Sequence, residues 1–213
     1  MARSLRIDEL EAIKVAGINW RPVRRTLGIT GFGINAYSAD AGEQLIEDHD
    51  ETGGGAGRHE ELYLVLTGRA TFTVDGETID APTGTLVFVK ETTERRAAVA
   101  VVDGTTALVI GGDSDTVKPS AWEHTFAAQP AADAGDPRQA YEITAAGLKD
   151  HPDNGSLHYN LACYASLDGD PDLALMHLSR AFELDPNTRD WASSDTDLDA
   201  IRSDPRYPAA PAR

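Results

Sequence analysis

Residues 47–89 read EDHDETGGGAGRHEELYLVLTGRATFTVDGETIDAPTGTLVFV. Side chains of an extended segment alternate between faces, so over 60–67 Glu61, Tyr63 and Val65 share one face and Leu62, Leu64 and Leu66 the other. Both faces are largely apolar. The outer one therefore calls for cover by the helical part of the chain, the N-terminal segment or a second subunit. Shorter runs at 69–74, 77–81 and 85–89 continue the pattern, and Asp75-Gly76 supplies the two residues tolerant of positive φ that a tight hairpin needs. The same stretch carries the densest grouping of His and Glu in the chain, with Glu47, His49, His59, Glu60 and Glu61. Between them, Thr52-Gly53-Gly54-Gly55-Ala56-Gly57 reads as a loop at the mouth of the sheet. It lacks the Lys-Ser/Thr pair and following helix of a phosphate-binding loop.

Working outward, 31–37 and 43–48 read as strands around the turn Ala39-Asp40-Ala41-Gly42, and 97–102 and 105–110 as strands around Asp103-Gly104. Many short strands at this spacing predict an antiparallel sandwich or small barrel. At the N-terminal side, Leu5, Leu10 and Ile13 with Asp8 and Glu11 predict a short amphipathic helix over 5–16. Trp20-Arg21-Pro22 should end it, and from Val23 the period changes to two. After Gly112 a polar linker leads to a helical pattern from Ala121. The expected domains are thus 1–118, all β apart from its start, and 119–213, all α.

Composition narrows the class. The 213 residues are 41% hydrophobic, enough for cores, and carry a net charge of −16, which opposes a nucleic-acid surface. No run approaches the roughly 20 apolar residues of a membrane span, and the start lacks the apolar centre of a signal peptide. The one cysteine, Cys163, excludes an internal disulfide; a cytoplasmic protein is expected. Cys163 lies in an NLACY helix segment where a small buried side chain is wanted. Of His124, His151, His158 and His177, only His158 and His177 are placed to approach one another across a helix pair.

The helical part repeats. Gly135, Asp136, Ala140, Gly147 and Pro152 recur as Gly169, Asp170, Ala174, Ala181 and Pro186, each at an offset of 34 residues. The second copy, GSLHYNLACYASLDGDPDLALMHLSRAFELDPN, resembles a tetratricopeptide repeat, with Ala162, Ala174 and Ala181 at the small positions where two antiparallel helices pack. The first copy is degenerate at Ala127, Thr144 and Gly147. The tail, WASSDTDLDAIRSDPRY, reads as a terminal helix over the last repeat. The resemblance implies a protein or peptide partner on the repeats.

Residues 20–112 resemble the cupin family, a jelly-roll β-barrel. Glu61 followed after six residues by Gly68 matches the end of its first motif, and Pro82-Thr83-Gly84 the Pro-x-Gly of its second. Metal-binding members present two His close before that Glu and a third His after the second motif. Here Glu47-Asp48-His49 stands near the place of the pair, and Arg95 aligns with the third. An arginine does not ligate a cation.

Three arrangements follow from these residues. Arg95 pairs with Glu61 or another acid in a barrel without metal; or Glu47, His49, His59 and Glu61 hold Fe, Mn, Ni or Zn; or Arg95 or Arg96 binds the carboxylate or phosphate of a small anion. The ligand-binding set expected is His49, His59, Glu61, Tyr63 and Arg95. The leading expectation is a non-enzymatic protein that binds a small molecule or a protein partner and forms a homodimer, as the resemblance to cupins implies. The alternative is a metal-dependent oxygenase, isomerase or decarboxylase.

Overall fold

In a computed structural model the chain forms two units, 1–117 and 118–213. The structure describes residues 4–15, 17–52, 57–113 and 118–208.

The alternating segments of the first unit become ten strands in two antiparallel sheets. They are β1 (Ile13–Val15), β2 (Ile18–Arg21), β3 (Gly33–Ala39), β4 (Gln44–His49), β5 (Glu60–Thr67), β6 (Arg69–Val74), β7 (Glu77–Pro82), β8 (Leu86–Val89), β9 (Arg96–Ala100) and β10 (Thr105–Gly112). One sheet runs β1-β2-β3-β10-β5-β8 and the other β4-β9-β6-β7. The expected barrel is not closed, since no ladder joins the two sheets among the described residues. They face each other instead across a shared core of Tyr63, Val65, Val87 and Val109 from one and Leu45, Phe72, Ala81 and Ala98 from the other. Tyr63 and Phe72 meet edge to face at 5.4 Å between centroids.

The chain moves between sheets at corners, and two of these are tied together. Asp103 Oδ1 accepts from Ala41 N at 3.0 Å, and Asp40 Oδ1 accepts from Gly104 N at 2.9 Å. Asp103-Gly104 therefore turns a corner from β9 to β10 and is not the hairpin its sequence suggested. Asp75-Gly76, at φ +46° and +86°, does close the hairpin β6–β7. Gly68 is the motif glycine with a steric reason. It has φ +79°, and a Cβ there would lie 2.4 Å from Thr105 Oγ1 and 2.8 Å from Thr105 Cα.

Two expectations fail at the N-terminal side. Residues 5–16 hold only a 3-10 turn, Ile7–Glu9, followed by β1, and a true helix, α1 (Val23–Leu27), follows Pro22 where strand periodicity was expected. Three apolar residues cannot offset the nucleation cost of so short a helix. Asp8 is bound instead by Arg6, Nη2 to Oδ2 at 2.7 Å. The outer face of β5 is only partly covered: Leu66 shares a depression with Leu5 and Ile7, while Phe32, Leu62, Phe88 and Ile110 line another that is open.

The second unit has α2 (Ala121–Asp133), α3 (Pro137–Ala146), α4 (Gly155–Leu167), α5 (Pro171–Leu184) and α6 (Thr188–Ala192). Its sequence repeat appears as a repeated turn. Asp136 and Asp170 each cap the helix that follows, accepting from Gln139 N at 2.9 Å and Leu173 N at 3.0 Å, with Pro137 and Pro171 at the first helical position. Ala162, Ala174 and Ala181 are fully buried between α4 and α5. The tail is not one helix. After α6 it makes a 3-10 turn, Thr196–Leu198, and buries Leu198 and Ile201 against the α4–α5 core. Its Asp residues cap locally, as Asp195 does by accepting from Asp197 N at 3.0 Å, and such capping competes with a continuous helix. No helix among the described residues is long and apolar enough to cross a membrane.

A candidate site between the two sheets

The inward parity of β5 points Glu61 and Tyr63 into the core, where a carboxylate needs partners. It finds three. The Tyr63 hydroxyl donates to Glu61 Oε2, His49 Nε2 approaches the same oxygen at 3.6 Å, and Arg96 Nε stands 3.3 Å from it. His49 comes from the end of β4 and Arg96 from the start of β9, where the two are register partners, so both sheets contribute. Glu51, in the turn after β4, adds a second carboxylate 3.8 Å from His49 Nε2. That turn is pinned by Glu51 N donating to Thr92 O at 2.8 Å. The other Glu51 oxygen accepts from Gly57 N at 2.8 Å and so ties down the far end of the glycine-rich loop.

Electrostatics follow from this crowding. Burial would raise the Glu61 carboxyl, but the bonds from His49 and Tyr63 and the Arg96 charge outweigh it and hold Glu61 below its ordinary range. The contact with Glu61 raises His49, against the opposing effect of its burial. Burial and then Glu61 push the Tyr63 phenol up, and burial with Glu61, Glu47 and Glu51 pushes Tyr37 up to about 12. The Tyr63 phenol thus stays a protonated donor to Glu61.

The expected residues divide. His49, Glu61 and Tyr63 come together. Glu47 does not join them: β4 changes register between Ile46 and His49, which breaks the i, i+2 relation and leaves Glu47 exposed. His59 lies apart, its ring packed over Gly111, where an added Cβ would meet Nδ1 at 3.2 Å. Arg95 is exposed and pairs with Asp48 at 2.8 Å; the arginine beside Glu61 is Arg96. Glu51 was missed as a member of this cluster, and Arg96, named only as an alternative anion-binding residue, takes the place beside Glu61 that was expected of Arg95. Strand parity held the signal for Arg96, because it shares a face with Ala98 and Ala100, both buried. The bulkier Val99 on the opposite face looks more like core and is exposed.

His49, Glu51 and Glu61 offer donor atoms all within 4.8 Å of one another. One imidazole and two carboxylates suit a divalent transition metal, and separations of 3.6 and 3.8 Å fit ligands around one ion at about 2.1 Å. The Arg96 charge opposes a cation at Glu61, and a metal would need His49 neutral.

In the second unit His158 and His177 do meet, Nδ1 to Nδ1 at 2.9 Å. His158 Nε2 lies 3.0 Å from Pro152 O, and His177 Nε2 lies 2.9 Å from Tyr141 Oη. A carbonyl only accepts, so neutral His158 donates at Nε2 and accepts at Nδ1 from His177, whose Nε2 accepts from Tyr141. Cys163 Sγ donates to Asp195 Oδ2 at 3.6 Å, and burial, then Asp195, pushes its thiol up, which makes it unreactive.

No protein-family model matches the chain, and no curated protein matches it. Solved structures do. A cupin protein from Bacteroides fragilis is 21% identical over 53% of this chain and 91% of its own, with a TM-score of 0.42. A sugar phosphate isomerase of the cupin superfamily from Silicibacter pomeroyi is 17% identical over 53% and 76%, with a TM-score of 0.44. A cupin 2 conserved barrel domain protein from Salinispora arenicola is 17% identical over 55% and 92%, with a TM-score of 0.42. At such identities and scores, no chemistry passes from these proteins to this chain.

Proposed function

We propose that the first unit is a cupin-like module that binds a small molecule between its sheets, and that the second is a tetratricopeptide-like platform for a protein or peptide partner. One observation carries the first half. Glu51, Glu61 and Arg96, each at most 9% exposed, converge with His49 on one interior point of an otherwise apolar sandwich. Burying several charges is seldom the most stable solution, and convergent buried polar groups are the usual mark of a binding site. The repeated capped turn and small-residue packing of α4 on α5 support the second half. The exposed Leu86 and Phe88 on the outer sheet face support a homodimer formed there.

Native mass spectrometry of the purified full chain tests the binding reading. A bound small molecule, lost in Glu61→Gln without loss of fold, is the expected result. A ligand retained in that variant, or none after exposure to a metabolite extract, overturns it.

A metal-dependent enzyme is a second reading, favoured by the His49, Glu51 and Glu61 donor set. Those three residues would hold the ion, which would supply Lewis acidity to a substrate oxygen. Tyr63 would orient Glu61 through its hydrogen bond. Elemental analysis decides it: stoichiometric Fe, Mn, Ni or Zn that Glu51→Ala and His49→Ala each remove supports the enzyme, and a metal-free protein after growth in supplemented medium rejects it.

A further inference from the structure

Arg96 is the largest fully buried side chain among the described residues, at 1% exposure, and its hydrogen bonding is half complete. Nη1 donates to Glu94 O at 2.7 Å. Nε and Nη2 have no hydrogen-bond acceptor among the described residues. Glu61 is near enough for an ion pair, with Oε2 at 3.3 Å from Nε, yet the N–H does not aim at it. That oxygen already accepts from Tyr63 and faces His49. A guanidinium with two donors unsatisfied inside a core is costly.

The two free donors share one edge. Nε–H and Nη2–H point the same way in the guanidinium plane, the side-on fork that matches both oxygens of a carboxylate. Glu51 and Glu61 already place two carboxylates nearby, with Arg96 and the His49 imidazole beside them. Such a site tolerates one more anionic group only where it meets the guanidinium directly.

We propose that the Nε–Nη2 edge of Arg96 anchors the single carboxylate of a small organic acid held between the sheets. This rests on the reading that the interior binds a small molecule, and it names the class. Lys at this position would keep the charge without the fork, and Met would keep the volume without either.

The test titrates the full chain with acetate, lactate and benzoate, and separately with acetamide, lactamide and benzamide. The readouts are calorimetry and the Arg Nε–H region of the nitrogen–proton spectrum, in which the Arg96 peak is assigned by its loss in Arg96→Lys. At least one carboxylate should bind saturably and shift that peak, its amide should bind at least about 10-fold more weakly, and Arg96→Met should cost about 10- to 100-fold. Circular dichroism checks that the variants fold, and the peak shift needs no variant other than its assignment.

Amides that bind as well as carboxylates, with Arg96→Met unchanged, overturn the inference and leave the small-molecule reading intact. A bound carboxylate that does not move the Arg96 peak also overturns it. Absence of saturable binding by every probe overturns it too, and the broader reading then stands on the native mass measurement alone.

Discussion

Two of the polar networks that the molecule buries are finished differently. In the helical unit Tyr141, His177, His158 and the Pro152 carbonyl form a closed chain in which every ring nitrogen has one partner of the right kind. Between the sheets, Glu61 collects more partners than it needs, while Arg96 keeps two donors idle at 1% exposure. A closed network explains itself as structure. It removes the desolvation penalty of its members and holds α3, α4 and α5 at one spacing. An open network implies a missing acceptor. Water can supply one, but the oriented fork of a guanidinium is better matched by a carboxylate.

The largest effect that sharpens this contrast is expected in the closed network. His177→Ala removes a side chain with 4% exposure and leaves His158 Nδ1 and the Tyr141 hydroxyl without partners. The loss should be about 2–4 kcal/mol, from the unsatisfied groups and the cavity together. Urea denaturation followed by the helical circular-dichroism signal measures it. A loss below about 1 kcal/mol would show that the histidine chain does not hold the helices.

Acid should act on the same chain. Burial and the neighbouring His158 depress His177 to about 4, against 6.5 for the free side chain. With the folded value below the unfolded one, protonation favours the unfolded state. The contribution is complete above pH 6.5 and is lost as pH falls from there toward 4. Because carboxylates titrate in the same window, the informative quantity is the difference between wild type and His177→Leu. The stability of wild type should fall more steeply over this range than that of the variant, and parallel curves would contradict the assignment.

The two networks were not equally legible in the sequence. His158 and His177 sit on helices, where periodicity fixes the facing residues without knowledge of loops, and their approach could be read from spacing. Along β5 parity grouped Glu61, Tyr63 and Val65 on one face, which the structure turns inward. It failed wherever the chain departs from regular pleating. The register change after Ile46 detached Glu47 from His49, and Glu51 belongs to a turn with no period at all. Arg95 and Arg96 differ by one residue, and a one-residue step exchanges the faces of a strand. The short 3-10 turn at Ile7–Glu9 and the broken tail were misread for another reason: the Arg6–Asp8 ion pair and the cap by Asp195 are local preferences that a search for apolar stripes does not weigh.

In the open network removal should cost little. Arg96→Met exchanges a buried charge for an apolar side chain of similar length, while Glu61 keeps Tyr63 and His49. Stability without ligand should change by no more than about 1 kcal/mol in either direction, since the loss of the Arg96–Glu61 attraction is offset by removal of two buried unsatisfied donors. A loss of 3 kcal/mol or more, about what breaking a satisfied buried pair costs, would place Arg96 beside His177 as structural and erase the contrast.

The smallest effect is predicted one residue away. Arg95 points outward, pairs with Asp48 at 2.8 Å, and both side chains are more than half exposed. Such a pair is screened by solvent and gives up in side-chain entropy much of what it gains in attraction. Arg95→Ala should leave the denaturation midpoint within experimental error and the carboxylate titration unchanged, in the same assay in which Arg96→Met weakens binding about 10- to 100-fold. The two variants remove the same formal charge from neighbouring positions of one strand end. A difference between them isolates burial and orientation as the cause, because long-range charge is altered alike. If Arg95→Ala weakens carboxylate binding as much as Arg96→Met does, the attraction is a diffuse field over the mouth of the sheets and the buried fork has no special part in it.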